Sequence, residues 1–178
     1  MREDVANDWL DRIKRKDPAA WEPVYLEIYP RLRGYSAKRI GHDHASDIVA
    51  ETMARAVGSI ERFDPTGVGL SAWIFGICRH VIADRYRALE REKRQPVAPL
   101  DVTEDISEAL VGNEEAQAMK RAYRMLSDDD RDILDLRVIG GLTAEDVGSL
   151  LDRKPGAVRM AQSRALERLR EHFKEVYR

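Results

Sequence analysis

The chain has 178 residues, is 43% hydrophobic and 35% charged, and carries a net charge of −2. That length allows one domain or two small ones, and so small a net charge means that any nucleic-acid surface must come from local segregation of charge. The single cysteine, Cys78, excludes an internal disulfide, a CxxC redox pair and a cysteine-based zinc site.

The N-terminus, MREDVANDWLDRIKRKD, has no apolar signal core, and no apolar run reaches 18 residues, so a soluble, cytoplasmic chain is expected. Helical periodicity pervades the patterned segments and strand-like alternation is absent. It predicts an all-α protein with helices over 5–16, 18–40, 45–61, 71–93, 113–126, 128–139, 143–151 and 156–176.

Between the second and third of these stand His42 and His44 with Asp43 and Asp47. Two histidines at i,i+2 do not share a helix face, so a solvated turn is preferred and no metal is expected. In HASDIVAETMARAV (44–57), Ile48, Val49, Met53, Ala56 and Val57 form an apolar side. Asp47, Glu51, Thr52 and Arg55 form a polar strip suited either to solvent or to docking on a basic, helical protein partner.

The segment FDPTGVGLSAWIFGICRHVIADRYR (63–87) is a glycine-bearing loop feeding a helix that starts apolar and ends basic. Trp73, Ile74, Ile77, Val81 and Ile82 share an apolar arc by phase. Phe75, Arg79 and Arg87 fall on a second strip, with His80 and Tyr86 at its edges. An outward strip of aromatics and cations suits single-stranded nucleic acid, because bases stack on aromatic faces while arginines neutralise the backbone. Gly67 and Gly69 allow unusual backbone angles and close approach. Phe75 has a second reading, packing on a neighbouring helix. TGVG lacks both the GxGxxG spacing and the P-loop lysine, which disfavours a nucleotide cradle. Cys78 reads as a small core residue rather than a reactive thiol.

Residues 95–113, QPVAPLDVTEDISEALVGN, hold two prolines, several carboxylates and no basic residue. They divide the chain into an N-terminal domain (1–94) and a C-terminal domain (114–178), joined by an acidic linker.

In the C-terminal domain, Thr143 and Asp146 have capping-box spacing, so a helix starts there. Val147, Leu150 and Leu151 give it one apolar face. Pro155 suits the first turn of the next helix. Two helices joined by the short turn Asp152–Pro155 make a helix-turn-helix. The second helix has an inward stripe of Val158, Ala161, Ala165, Leu169 and Phe173, so Arg159, Met160, Ser163 and Glu167 face out. Arg153 and Lys154 lie in the turn, and residues 153–178 carry eight Lys/Arg against three Asp/Glu. Such a helix presents its N-terminal residues to base edges, with flanking cations on phosphates. A solvated, salt-bridged helix is the plainer alternative. A regulator with an N-terminal sensory domain and a small enzyme built on Cys78 or the histidines are rival readings; no spacing supports the enzyme, and no catalytic residue is expected.

These stretches, in this order, resemble one family. YPRLRGYSAKRIG, DIVAETMARA, FDPTGVGLSAWIFGICRHVIADRYR and LSDDDRDILDLRVIGGLTAEDVGSLL…GAVRMAQSRALERLR are similar to the extracytoplasmic-function (group IV) sigma factors of bacterial RNA polymerase. The resemblance covers Trp21 to Phe173. It implies a sigma region 2 helical bundle and a sigma region 4 helix-turn-helix, with no cofactor and no further domain after residue 178. It implies docking of Asp47, Ile48, Glu51, Thr52 and Arg55 on the β′ clamp helices of core polymerase. It assigns melting and capture of the −10 element to Asp64, Thr66, Gly67, Val68, Ser71, Trp73, Phe75, Arg79, His80 and Arg87. Arg153, Lys154, Arg159, Met160, Gln162, Ser163 and Arg164 would bind the −35 duplex, with region 4 also touching the β flap. The linker, with Asp101, Glu104, Asp105 and Glu108, would thread the RNA exit path, and an anti-sigma factor is a further possible partner. The chain departs from the family pattern at His80 for Asn, Val57 for Trp, Asp152 for Gly and Lys154 for a Ser cap, and Met160, Ala161 and Ser163 are unusual there. Specificity sits at these positions.

Overall fold

A computed structural model describes residues 2–93 and 114–177, with side chains from residue 8 to 91 and from 114 to 177. It divides into two compact units, Met1–Thr103 and Glu104–Arg178. The predicted linker and its four named carboxylates lie outside the described residues. Among the described residues there is no strand and no group of three or more His, Cys, Asp or Glu that could hold a metal. No described helix is long and apolar enough to cross a membrane.

In the first unit, α1 (Arg2–Lys14) leads to α2 (Pro18–Ile40) through a turn closed by Asp17. Asp17 accepts from the Ala19 N–H at 3.0 Å, and Pro18 opens the helix where a missing N–H costs nothing. Pro23 and Pro30 lie inside α2 on its exposed side; each removes one helix hydrogen bond. Gly41 alone separates α2 from α3 (His42–Ser59). At φ 86° it takes a conformation that L side chains avoid, which permits the abrupt reversal. The expected turn around His42 and His44 is therefore the first turn of α3. A 3₁₀ turn, Ile60–Arg62, and a loop then lead into α4 (Leu70–Lys93).

α2, α3 and α4 pack on one another around a single core. Ile28, Leu32 and Tyr35 enter it from α2, Val49, Met53 and Ala56 from α3, and Ile74, Phe75, Cys78, Val81 and Ile82 from α4. Ser36 Oγ of α2 lies 3.5 Å from Cys78 Sγ of α4 within it, and Trp21 Nε1–H ties α2 to α1 by donating to the Ile13 carbonyl at 3.0 Å. Burial raises the Cys78 thiol pKa, which fits a small core residue rather than a nucleophile.

The second unit contains α5 (Glu114–Arg124), α6 (Asp128–Leu134), α7 (Ala144–Leu151) and α8 (Pro155–Val176). Instead of one helix over 128–139, α6 passes into a π-helical turn, Asp135–Ile139, closed by Gly140 N–H on the Asp135 carbonyl at 2.7 Å. Gly141, at φ 58°, then redirects the chain toward the Thr143 cap. α8 is the axis against which α5, α6 and α7 pack, with Leu126, Leu134 and Ala165 buried together and Tyr123 and Leu169 against them. Among its described residues two carboxylates are buried and both are satisfied. Arg168 Nη1 donates to both oxygens of Asp130, at 2.6 and 2.8 Å, and Asp135 accepts from the Tyr123 hydroxyl at 2.5 Å.

Candidate nucleic-acid and polymerase interfaces

The helix-turn-helix forms as its spacing predicts. Thr143 Oγ1 accepts from Asp146 N–H at 3.0 Å, and the Asp146 carboxylate accepts from Thr143 N–H at 3.3 Å, a complete capping box. α7 ends on Asp152 in the left-handed region (φ 53°, ψ 50°), the place a glycine would fill without strain. Lys154 stands at the N-cap of α8 with no side-chain cap bond, and Pro155 follows at the first helical position. Val158 and Ala165 are buried, while Arg159, Met160, Ser163, Arg164 and Glu167 are exposed.

Three features of this motif change or extend the sequence reading. Gln162 is half-buried and accepts from Arg137 Nε at 2.8 Å, while Arg137 also donates to the Leu142 carbonyl. Its amide oxygen is thus committed inside the domain, unlike its exposed neighbours. Gly148 is the position sequence reasoning missed. A Cβ there would overlap the Arg153 carbonyl oxygen, and Arg153 N–H donates to Gly148 O at 2.8 Å. A glycine inside a short helix, costing about 1 kcal/mol against alanine, was the available signal of close approach. Finally, two of the outward arginines are ion-paired: Arg153 forks onto Asp129 at 3.0 and 2.5 Å, and Arg159 meets Glu145 at 3.0 Å.

On α4 the predicted phase holds for Ile74, Val81 and Ile82, which are buried, and fails at Trp73, Phe75 and Ile77. Phe75 is fully buried (0% exposed), edge-on to Tyr35 at 5.5 Å, with the Arg31 guanidinium 5.9 Å from its ring centre. It cannot offer a face to a base, so it leaves the candidate strip. Arg79, its supposed neighbour there, is half-buried. Conversely Trp73 and Ile77, expected inside, are only half-buried, with the Trp73 ring resting on Phe63 at 5.4 Å. Residues 73 and 75 differ by about 200° of helix phase, so only one of the two aromatics can point inward. α2 supplies an aromatic and a cation at the Phe75 side. The outer strip consequently runs Trp73, Ile77, His80, Asp84 and Arg87, with His80 and Arg87 exposed and the others half-buried.

The loop before α4 is ordered by its first residue. Asp64 Oδ1 accepts from Thr66 N–H at 2.9 Å and from the Thr66 hydroxyl at 2.7 Å, which together hold its carboxyl pKa below the usual range. Asp64, Thr66 and Gly67 are exposed, and Val68 and Ser71 half-buried. Neither Gly67 nor Gly69 has a positive φ, and a Cβ on Gly67 would meet nothing closer than Asp64 O at 3.7 Å. The special backbone expected of these glycines is absent.

On α3, Asp47, Glu51 and Arg55 are exposed, but Ile48 and Thr52 are not. Thr52 is 0% exposed and returns its hydroxyl to the Ile48 carbonyl at 2.6 Å. Thr52 is a core residue, a correction to its place in the docking set, while Ile48, though buried, still borders the groove between α3 and α4. Arg55 bridges Glu51 at 2.7 Å and Asp84 of α4 at 2.9 Å, and Arg87 also reaches Asp84, at 2.5 Å. The two arginines hold the Asp84 carboxyl pKa below its ordinary value. His44, Asp47, Ile48, Glu51 and Arg55 line one side of a shallow groove, and Val81, Asp84 and Arg85 the other.

Comparison with known proteins bears on both units. Residues 24–92 match the model of sigma-70 region 2, and residues 124–171 that of sigma-70 region 4. The extracytoplasmic-function (ECF) RNA polymerase sigma factor ShbA of Streptomyces griseus is 30% identical, over 96% of this chain and 97% of its own length. The chain belongs to the ECF RNA polymerase sigma factors. SigD of Mycobacterium tuberculosis, of the same family, is also 30% identical, over 88% of this chain and 78% of its own. Among solved structures, the sigma factor RpoE of Bartonella quintana, in complex with the anti-sigma factor NepR, superposes with a TM-score of 0.69 at 29% identity. It covers 86% of this chain and 96% of that one. The family gives this sigma factor a role in promoter recognition for RNA polymerase, a regulatory rather than catalytic one.

Proposed function

We propose that this ECF sigma factor, of the group IV kind, docks on core polymerase through α3, reads the −35 element as duplex through α8, and opens the −10 element on α4. The domains would divide at 1–94 and 114–178, with the linker in the RNA exit path and the whole acting in the cytoplasm. Asp47, Glu51 and Arg55 face the β′ clamp helices, and region 4 also meets the β flap. Arg153, Lys154, Arg159, Met160, Ser163 and Arg164 form the duplex surface. Asp64, Thr66, Gly67, Val68, Ser71, Trp73, His80 and Arg87 form the single-strand surface. The observation that carries this reading is the α4 strip, where a half-buried indole, an exposed imidazole and an exposed guanidinium follow one another at helical spacing beside an ordered polar loop. Aromatic faces and cations so placed fit unstacked bases and their backbone. An anti-sigma factor is a further partner, by likeness to the complexed RpoE.

Transcription with core polymerase on a promoter library tests the reading. A selected pair of −35 and −10 motifs supports it. Asp47→Arg with Glu51→Arg should abolish the signal and lose core polymerase in a pull-down while circular dichroism stays native. Retained polymerase binding would remove α3 as the docking helix.

A further inference from the structure

Resting on the reading of α8 as a duplex-binding helix, we propose that Asp129 and Glu145 are built-in stand-ins for DNA acceptors. Each holds one recognition arginine until DNA exchanges with it.

The geometry is that of a bound anion. Asp129 presents both carboxylate oxygens to both terminal nitrogens of Arg153, at 3.0 and 2.5 Å, the fork that a phosphate or a guanine edge also fits. Asp129 sits in the first turn of α6, and Arg153 is in the turn just before α8. The contact therefore spans 24 residues of chain rather than one helix turn. Glu145 lies in the first turn of α7 and reaches Arg159 in the second turn of α8 at 3.0 Å. The first helix of a helix-turn-helix crosses the DNA backbone, and Glu145 on that helix already supplies an anionic acceptor to Arg159. Lys154 and Arg164, on the same outward surface, make no ion pair among the described residues. Cations thus fall into two classes: some open to phosphate at once, and two that must first give up a carboxylate.

That arrangement has a thermodynamic consequence. Exchange of a carboxylate for a phosphate returns an anion to water for every phosphate gained. Each guarded arginine then adds less affinity and less salt dependence than an open one. Promiscuous duplexes gain little from them, while a site that positions its acceptors well gains the exchange.

The test is fluorescence anisotropy of the full chain on a duplex of random sequence, about 30 base pairs long, over a salt series. Asp129→Asn and Glu145→Gln should each tighten binding about three- to tenfold at low salt and steepen the log–log salt slope by about one. Asp128→Asn is the control. It removes the same charge from the adjacent residue, whose partner is Arg131 at 2.5 Å, and should change binding by less than about twofold. Equal gains in Asp128→Asn and Asp129→Asn would reduce the effect to net charge and overturn the proposal. Unchanged or weaker binding in Asp129→Asn and Glu145→Gln would overturn it too, making the carboxylates mere surface partners or supports for the arginines. The duplex reading fails separately, if wild type binds no duplex and Lys154→Ala and Arg164→Ala change nothing. Binding that appears only in the two carboxylate variants would still uphold the stand-in role.

Discussion

α4 and α8 are both long helices read from sequence as DNA-facing; α8 presents the outward residues that its pattern predicts, whereas α4 does so only in part. On α8 Val158 and Ala165 are buried, while the large apolar residues off that stripe, Met160 and Leu166, stay exposed. α4 lies against both α2 and α3 and carries two aromatics two residues apart. α8 lies against three helices, α5, α6 and α7, yet charged Arg159, Arg164 and Glu167 mark its outward phase locally. α4 carries no charged residue before Arg79 to mark its phase, and either aromatic could fill the core.

The sharpest break of this comparison is Phe75→Ala. Loss of a fully buried aromatic should cost about 3–5 kcal/mol, read in urea by tryptophan fluorescence. All three tryptophans, Trp9, Trp21 and Trp73, lie in the first unit, so that signal reports it alone. A cost near zero would return Phe75 to the surface. Gly148→Ala does the same for the second unit. Overlap with the Arg153 carbonyl should outweigh the helix-propensity gain and cost about 1–3 kcal/mol, visible as a lowered Tm by far-UV circular dichroism. A stabilised variant would mean that the turn relaxes freely.

Trp73→Ala separates stability from function. Promoter opening, followed by permanganate reactivity of unpaired thymines, should fall by about 1–3 kcal/mol of stacking, while Phe75-type destabilisation is absent. Normal opening would move the captured base off Trp73. The smallest effect is expected at Asp84. Its carboxyl pKa is held below the ordinary 3.8 by Arg55 and Arg87, so the unfolded chain takes up that proton first. The pair's contribution is therefore present above about pH 4 and lost as pH falls through the lowered value. Asp84→Asn should flatten the acid limb of first-unit stability slightly, and an unchanged limb would show that the exposed network is screened.

Local signals were legible. The Thr143–Asp146 box, Pro155, the α7–α8 turn and the outward Arg159 and Met160 all rest on residues within a few positions of each other. Gln162 and Thr52 were not, because their partners, Arg137 and the α3–α4 packing, approach from elsewhere in the chain. Gly41 is a local signal too, since a lone glycine between two periodic segments marks a reversal, and that reversal places the histidines after it in the first turn of α3.

The sequence by itself determined an all-α chain, the helix-turn-helix, and the family through its ordered motifs, since each is carried by short-range periodicity and capping. Only the tertiary structure decided that Phe75 is core and Trp73 only half-buried, and that Arg153 and Arg159 are already held by carboxylates. Those outcomes depend on which side chains of distant helices meet them. Burial and ion pairing are properties of contacts, and contacts between distant segments are not written in local spacing.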